Sequence, residues 1–208
     1  MQGAVQTWMH KQMHNHFRLS ILLVAFVGAL SLCLHASWQP TKAWLSHWLI
    51  QYSWQHYMAS GKETKPWPWA DTHALAELDF VRANKKIVVL AGGDPTTLAF
   101  SAGAVAPFNQ PETLQPFVVA GHRDSHFSLL KDVQVDDVIT VTDRFGELRT
   151  YQVTSLSIVD ASEQLLSLEN QQSLVLITCY PFNQFALNSN SNSNQRLIVE
   201  AMRKDDQI

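Results

Sequence analysis

The fold of this chain is decided by the stretch Leu174-Val175-Leu176-Ile177-Thr178-Cys179-Tyr180-Pro181. Its apolar and β-branched residues predict a buried strand. Pro181 has no backbone N–H to donate to a sheet, so the strand ends before it. Cys179 therefore lies at the C-terminal end of a strand, where a rigid scaffold meets a loop and catalytic groups are often placed.

Cys179 has two interpretations when it is considered alone. A free cysteine is commonly buried and packs as a small hydrophobic residue. The alternative is a reactive thiol. The only other cysteine, Cys33, lies in an apolar N-terminal segment and is not a plausible disulfide partner for Cys179. The rest of the sequence has to decide between packing and chemistry.

The N-terminal region predicts a membrane anchor. The run from Leu19 to Leu34 is almost wholly apolar, and Lys11 and Arg18 precede it. A spanning helix needs about 20 apolar residues, and preceding positive charge favours a cytoplasmic N-terminus. A cleaved signal peptide is the alternative, but no clean small-x-small cleavage site follows the apolar core. We expect residues 1–16 in the cytoplasm and an uncleaved transmembrane helix at 17–38.

The remaining chain would then lie on the extracytoplasmic side of the cytoplasmic (inner) membrane. Paired cysteines usually form disulfides there, so a single thiol such as Cys179 is notable. Residues 39–65 predict a membrane-proximal helix, over 41–60, followed by a linker. Residues 66–208 form the predicted catalytic domain. The net charge of −3 and the absence of a basic stripe argue against nucleic acid as a partner.

From residue 74 onward, short apolar runs alternate with turn-forming residues, which predicts an all-β barrel or sandwich. Residues 96–102 predict a short helix or ordered loop, 161–168 have helical character, and the polar segment 188–194 predicts a loop. The predicted strands are 74–81, 86–91, 117–120, 138–143, 147–158, 174–179 and 196–202.

A catalytic cysteine needs a base or cation nearby and a donor for the oxyanion. After residue 74 the only histidines are His122 and His126. His122 follows a predicted strand that ends in Gly121, and Arg196 opens the last predicted strand. Cys179, His122 and Arg196 could therefore converge at one rim of a barrel. Each also has a simpler interpretation, since a histidine or arginine at a strand end is commonly a solvated surface group.

A zinc site is a further alternative, because His122 and His126 have the i, i+4 spacing of two metal ligands and Cys179 could be a third. However, Gly121 precedes His122, the glutamate of the zincin motif is missing, and no fourth ligand is evident. We therefore expect no metal and no cofactor.

Three stretches resemble the sortase family in residue type and order: Ala120-Gly121-His122-Arg123, Leu176-Ile177-Thr178-Cys179, and Arg196 at the start of the next strand. The family's cysteine motif is commonly Thr-Leu-x-Thr-Cys, and Val175 stands here where the first threonine would be. Segments 66–71, 121–127 and 179–182 resemble the sortase class of Gram-negative marine bacteria. The resemblance covers about residues 66–202.

The resemblance implies an all-β, sortase-like eight-stranded β-barrel with short helices. Cys179 would cleave an LPxTG-like sorting signal through a thioacyl enzyme, and an amine acceptor of unknown identity would resolve it. His122 would protonate the leaving amine and deprotonate the incoming one, and Arg196 would hold substrate and oxyanion. Asp124 is a candidate to orient His122. Some sortases bind calcium through acidic loops, but no matching ligands are found in this sequence.

Two alternatives remain at this point. One is another cell-wall cysteine transpeptidase, such as the L,D-transpeptidase class, which places its histidine and cysteine close together in one motif. Here His122 and Cys179 are far apart, and Ile177 and Thr178 precede the thiol. The other is a non-catalytic β-barrel binding module, whose binding would survive the substitution Cys179→Ala.

Overall fold

The structure, a computed structural model, describes residues 2–162, 172–182 and 194–204. Within these ranges, side chains are described for residues 22–35, for residue 42, and from residue 44 onward. Of the predicted helical segment 161–168 and the predicted polar loop 188–194, only residues 161, 162 and 194 lie within the described part. The chain forms two compact units, Met1–Leu45 and Ser46–Ile208.

One helix, α1 (Gln2–Ser60), occupies the N-terminal region. It ends where the sequence predicts, because Gly61 adopts a left-handed conformation (φ 66°) and its N–H donates to the Tyr57 carbonyl at 2.8 Å. The helix predicted at 41–60 is therefore the last part of a longer one.

The described side chains between residues 22 and 35 are exposed. No helix within the described part of the chain is both long enough and apolar enough to cross a membrane. The predicted anchor at 17–38 includes residues 17–21 and 36–38, whose side chains lie outside the described residues. The transmembrane part of the fold prediction is therefore not confirmed.

Eight strands follow, with a short helix α2 (Pro95–Phe100) and a 3-10 turn (Ser128–Asp132) between them. All seven predicted strands are present, with ends that differ by at most two residues. The eighth, β3, was missed because Ala102, Gly103 and Ala104 are small and lack β-branching. The strands are β1 (Ala74–Phe80), β2 (Lys85–Ala91), β3 (Ala102–Ala104), β4 (Phe117–Ala120), β5 (Val138–Asp143), β6 (Leu148–Asp160), β7 (Ser173–Cys179) and β8 (Gln195–Arg203).

The strands close into a barrel in the order β1-β2-β3-β4-β7-β8-β6-β5. The β2/β3 and β4/β7 pairs are parallel, and the other pairs are antiparallel. Closure leaves no unpaired sheet edge, which removes a common route to aggregation. The predicted all-β, eight-stranded barrel is confirmed.

Side chains of β4, β7 and β8 divide between the two faces of the sheet, as the alternation along a strand requires. Leu174, Leu176 and Val199 belong to the main core inside the barrel. Val175 and Ile198 belong to a second apolar cluster on the outer face, with Val118 of β4 and, partly buried, Val105, Phe108, Val159 and Ile177. We call this cluster the outer-face cluster, and the candidate site lies at one end of it.

Candidate active site

The register between β7 and β8 places Cys179 directly opposite Arg196. Directly opposed residues of an antiparallel pair project to the same face, with Cβ atoms about 4.5–5.5 Å apart. Both side chains are half-buried. Two of the three predicted catalytic residues, 17 positions apart in sequence, are thus neighbours on one surface.

The third residue, His122, approaches from the other side of β7. Strand β4 runs parallel to β7 with Ala120 beside Ile177, and the Gly121 N–H donates to the Ile177 carbonyl at 3.1 Å. Two residues further along each segment come His122 and Cys179. The exposed His122 therefore begins its loop next to the strand end that carries the thiol.

The apolar outer-face cluster leads to these residues. Along β7, Cys179 continues the row of Val175 and Ile177, and on β8 Arg196 continues the row of Ile198. Val175 and Ile198 are buried, whereas Ile177 is half-buried, so of these three side chains Ile177 offers apolar surface beside the thiol. An apolar residue of an extended peptide can pack there while one of its carbonyl groups lies against the thiol.

Thr178 fixes the C-terminal end of β7 from the opposite face of the sheet, which is the buried face. Its buried hydroxyl donates to the Gly121 carbonyl at 2.8 Å. A Cβ atom at Gly121 would lie only 2.7 Å from the ring of the fully buried Phe127, so this position requires glycine. The backbone that leads into His122 is thus held against both β7 and the core.

Arg123 makes a second connection, which the sequence did not predict. Its Nη1 donates to the Pro181 carbonyl at 2.7 Å, and its side chain is only 20% exposed. This bond joins the loop after His122 to the loop after Cys179. The two residues are separated by 58 positions, so no local sequence signal could have revealed the contact.

Asp124, the predicted orienting group for His122, lies beside Arg123 instead, with 3.5 Å between Arg123 Nε and Asp124 Oδ1. Its side chain is 79% exposed. No hydrogen bond between Asp124 and His122 is found among the described residues.

Arg196 lies near an acidic residue on its other side. Strand β6 places Val159 opposite Arg196, with Asp160 as the next residue. The pKa of Asp160 is lowered, mainly by the hydrogen bond from the Ser162 hydroxyl and least by the charge of Arg196. Nη1 of Arg196 donates to the Gln195 carbonyl at 3.0 Å.

Within residues 2–162, 172–182 and 194–204, no group of three or more His, Cys, Asp or Glu side chains is placed to hold a metal ion. His122 and His126 share a loop rather than one face of a regular helix, because residues 122–127 precede the 3-10 turn. These two histidines therefore lack the helical i, i+4 arrangement that the zinc alternative assumed.

The family model of the sortase domain matches residues 79–204 of this chain. The chain belongs to the sortase family. Sortase D of Bacillus subtilis (strain 168) is 26% identical over 128 residues, which cover 61% of this chain and 62% of that protein. The chain thus spans less than two thirds of this relative.

Solved structures agree on the fold. Sortase A from Corynebacterium diphtheriae superposes with a TM-score of 0.55 at 26% identity, over 66% of this chain and 63% of that one. A lid mutant of the same enzyme matches with a TM-score of 0.55 at 23% identity, over 77% and 94% of the two chains. At that identity the second match supports the barrel alone.

Sortases are cysteine transpeptidases that act on peptide bonds. Membership of this family sets aside the L,D-transpeptidase alternative. The individual catalytic roles of Cys179, His122 and Arg196 are predictions. The strand pairings place these three residues at neighbouring strand ends.

Proposed function

We propose that this chain is a cysteine transpeptidase that cleaves a sorting signal of LPxTG type and transfers the acyl part to an amine acceptor. The observation that supports this proposal best is the pairing of Cys179 with Arg196 across β7 and β8. His122 enters beside the same strand end from β4. A nucleophile, a cation and a proton carrier are the parts that acyl transfer needs.

In the first half-reaction, the Cys179 thiolate attacks the carbonyl carbon of the Thr-Gly-type bond. The carbonyl oxygen becomes an oxyanion, which Arg196 stabilises by charge-assisted hydrogen bonds. As the tetrahedral intermediate collapses, the C–N bond breaks and protonated His122 gives its proton to the leaving amine. The products are a thioester on Cys179 and the free C-terminal fragment.

In the second half-reaction, the acceptor amine attacks the thioester carbonyl, and His122 removes a proton from its nitrogen. Arg196 again holds the oxyanion. The C–S bond breaks, the new amide is released, and the thiolate returns with His122 protonated. Each cycle therefore returns the enzyme to its starting state, with Cys179 as the thiolate and His122 protonated.

The half-buried edge of the outer-face cluster supports a signal that has an apolar residue before the scissile bond. Ile177 is half-buried and lies two residues before Cys179, whereas Val175 and Ile198 are buried. An apolar side chain of an extended peptide would gain about 1.5–3 kcal/mol if packing there buried it fully.

The decisive experiment is intact-mass spectrometry of the full chain in detergent after incubation with an LPxTG-type peptide. We expect a mass gain equal to the N-terminal peptide fragment in the wild type and none in Cys179→Ala. A small thiol reagent provides the control for access to the sulfur. If the reagent labels Cys179 while no variant of the signal forms an adduct, the transpeptidase proposal is wrong.

The same experiment separates the enzyme from a non-catalytic binding module. A module would retain the peptide equally in the wild type and in Cys179→Ala, without any covalent adduct. An enzyme would release the C-terminal fragment in the wild type only.

We further propose that residues 17–38 anchor the chain in the cytoplasmic membrane, with the barrel on the extracytoplasmic side. The apolar run between Leu19 and Leu34, with Lys11 and Arg18 before it, supports this proposal. A charge at the centre of a span costs about 2.5–3.5 kcal/mol. The double substitution Val24→Asp, Val27→Asp should therefore move the chain from the membrane fraction to the soluble fraction.

Orientation is tested with a thiol reagent that cannot cross membranes. Applied to intact spheroplasts, the reagent should label Cys179, and Cys179→Ala should abolish that labelling. Labelling only after lysis would contradict the proposed side, and extraction of the wild type by alkaline carbonate would contradict the anchor.

A further inference from the structure

A cavity of about 310 Å³ lies behind the loop that carries His122. Its walls come from the C-terminal part of α1, the beginning of β2, and the segment that follows His122. The loop contributes His126, four residues after His122. The described residues that line it are His47, Ile50, Gln51, Lys85, Lys86, Ile87, Val88, Ser101, Ser125 and His126.

The lining combines basic and apolar side chains. None of the described lining residues is acidic, while four carry basic side chains: His47, Lys85, Lys86 and His126. Lys86 is partly neutralised from outside the cavity, since its Nζ lies 3.1 Å from Glu77 Oε1 and 3.9 Å from Asp79 Oδ2. Among the described residues, neither Lys85 nor His126 has a hydrogen-bond or ion-pair partner.

The pKa of His126 is lowered from its usual value. Burial is the main cause that lowers its pKa, and the charges of His47, His122 and Lys85 lower it further. His47 belongs to α1, His122 to the same loop and Lys85 to β2, so positive charges from three elements act on His126. A bound anion would reduce their repulsion and would favour protonation of His126.

We propose that this cavity binds an oxyanion group, carboxylate or phosphate, carried by the amine acceptor. This inference rests on the proposed transpeptidation, because the acceptor must reach the thioester beside His122. His126 lines the cavity and follows His122 by four residues on the same loop, so one small acceptor can present its amine at His122 and its anion to Lys85 and His126. Charge-assisted hydrogen bonds from a lysine and a histidine suit such a group.

The cavity is tested first by direct binding to the full chain, with inorganic sulfate as the probe and amide NMR as the readout. Lys85→Gln and His126→Gln should each weaken sulfate binding about tenfold. Lys131→Gln is the matched control, because Lys131 is exposed and does not line the cavity. Absence of saturable binding would overturn the proposal. Equal weakening by Lys131→Gln would also overturn it, because sulfate would then be an adventitious ion only.

Sulfate keeps its charge between about pH 5 and 8, so its affinity reports protonation of the protein. Because a bound anion favours charged His126, affinity should rise as the pH falls, and this rise should be smaller in His126→Gln. His47, His122 and Lys85 also act on His126 through their charges, and Lys86 lines the same cavity. An unchanged rise in His126→Gln would contradict the assigned role of His126.

The acceptor is tested with two matched pairs of amines: glycylglycine against its amide, and phosphoethanolamine against ethanolamine. The wild type should transfer faster to the anionic member of one pair, which identifies carboxylate or phosphate. Lys85→Gln should remove that preference, and Lys131→Gln should keep it. Thioacyl formation is measured separately, so loss of that adduct overturns the transpeptidase itself. Formation of the adduct with no anionic preference overturns only the acceptor assignment.

Discussion

Arg196 is the single residue whose charge the proposed mechanism uses most directly. Replacing Arg196 with alanine should lower kcat/KM for thioacyl formation by about 10²–10³, the usual cost of removing one oxyanion donor. Arg196→Lys should recover part of this loss, since lysine keeps the charge but not the planar fork of donors.

Arg203 provides the matched control, because it lies on the same strand at the end far from Cys179. We expect Arg203→Ala to stay within about threefold of the wild type. Release of a fluorescent C-terminal peptide fragment measures all three variants. Wild-type rates in Arg196→Ala would remove Arg196 from the mechanism.

Arg123 is a positioning residue, since its bond to the Pro181 carbonyl joins the two loops that follow His122 and Cys179. A hydrogen bond to a charged group contributes about 1.5–3 kcal/mol. Arg123→Ala should therefore lower kcat about tenfold or more with little change in KM, and Arg123→Lys should rescue part of the loss.

The pH profile distinguishes positioning from simple loss of stability. If Arg123 keeps His122 and Cys179 aligned, Arg123→Ala should also displace the pH optimum of kcat. Asp124→Ala is the control, because Asp124 is 79% exposed and its pair with Arg123 contributes at most about 1 kcal/mol. A large loss of activity in Asp124→Ala would revive Asp124 as the orienting group for His122.

Among the secondary-structure elements, the β5–β6 hairpin depends on a buried ion pair. Asp143 is fully buried, and its Oδ2 lies 2.5 Å from Nη1 of Arg149. Oδ1 of Asp143 also accepts from the N–H groups of Phe145 (2.8 Å) and Glu147 (3.0 Å). One carboxylate thus holds both the turn and the strand that follows it.

Arg149→Met should destabilise the protein by about 3–5 kcal/mol, because it leaves the Asp143 carboxylate buried without its partner. Urea unfolding of the full chain measures this effect. Glu147→Gln is the matched control, since Glu147 pairs with the same arginine but is 69% exposed, and we expect a loss of at most about 1 kcal/mol. Equal effects of the two substitutions would show that the buried pair does not stabilise the hairpin.

The strands were predictable from sequence wherever β-branched residues alternate or cluster, as in Val118-Val119 or Leu174 to Thr178. Strand β3 was not, because Ala102-Gly103-Ala104 has no local β signal and pairs only through its neighbours. The beginning of α1 was missed for another reason. The helical spacing of Leu45, Trp48 and Leu49 marks one face of a helix, but it does not show where that helix begins.

For the molecule as a whole, the sequence predicted which residues could react and that they could converge at one rim of a barrel, but not the strand order that brings them together. Cys179, His122 and Arg196 were identifiable as reactive types at predicted strand ends. Their proximity depends on the strand order β4-β7-β8, which no local pattern encodes. The contacts of Thr178 and Arg123, and the basic cavity around His126, likewise arise from segments that are distant in sequence.

The pH dependence of folding is a property of the whole barrel, and its direction follows from groups whose pKa is lowered in the folded chain, three of which are Asp94, Asp137 and His126. The pKa of Asp94 is lowered mainly by the hydrogen bond from the Thr97 hydroxyl, and that of Asp137 mainly by the hydrogen bond from Arg82. The pKa of His126 is lowered mainly by burial. In each case the unfolded chain binds the proton more readily than the folded chain, so acid favours unfolding.

Stability should therefore decline in two stages as the pH falls. The contribution of His126 is complete above its unfolded pKa of 6.5 and is lost as the pH falls through its lower folded value. The contributions of Asp94 and Asp137 are complete above 3.8 and are lost only below it. Urea unfolding of the full chain from pH 8 to pH 3 measures both stages. His126→Gln should flatten the first stage and leave the second, because glutamine cannot take up the proton that drives unfolding. A first stage that persists unchanged in His126→Gln would mean that other histidines, rather than the basic cavity, make the fold sensitive to mild acid.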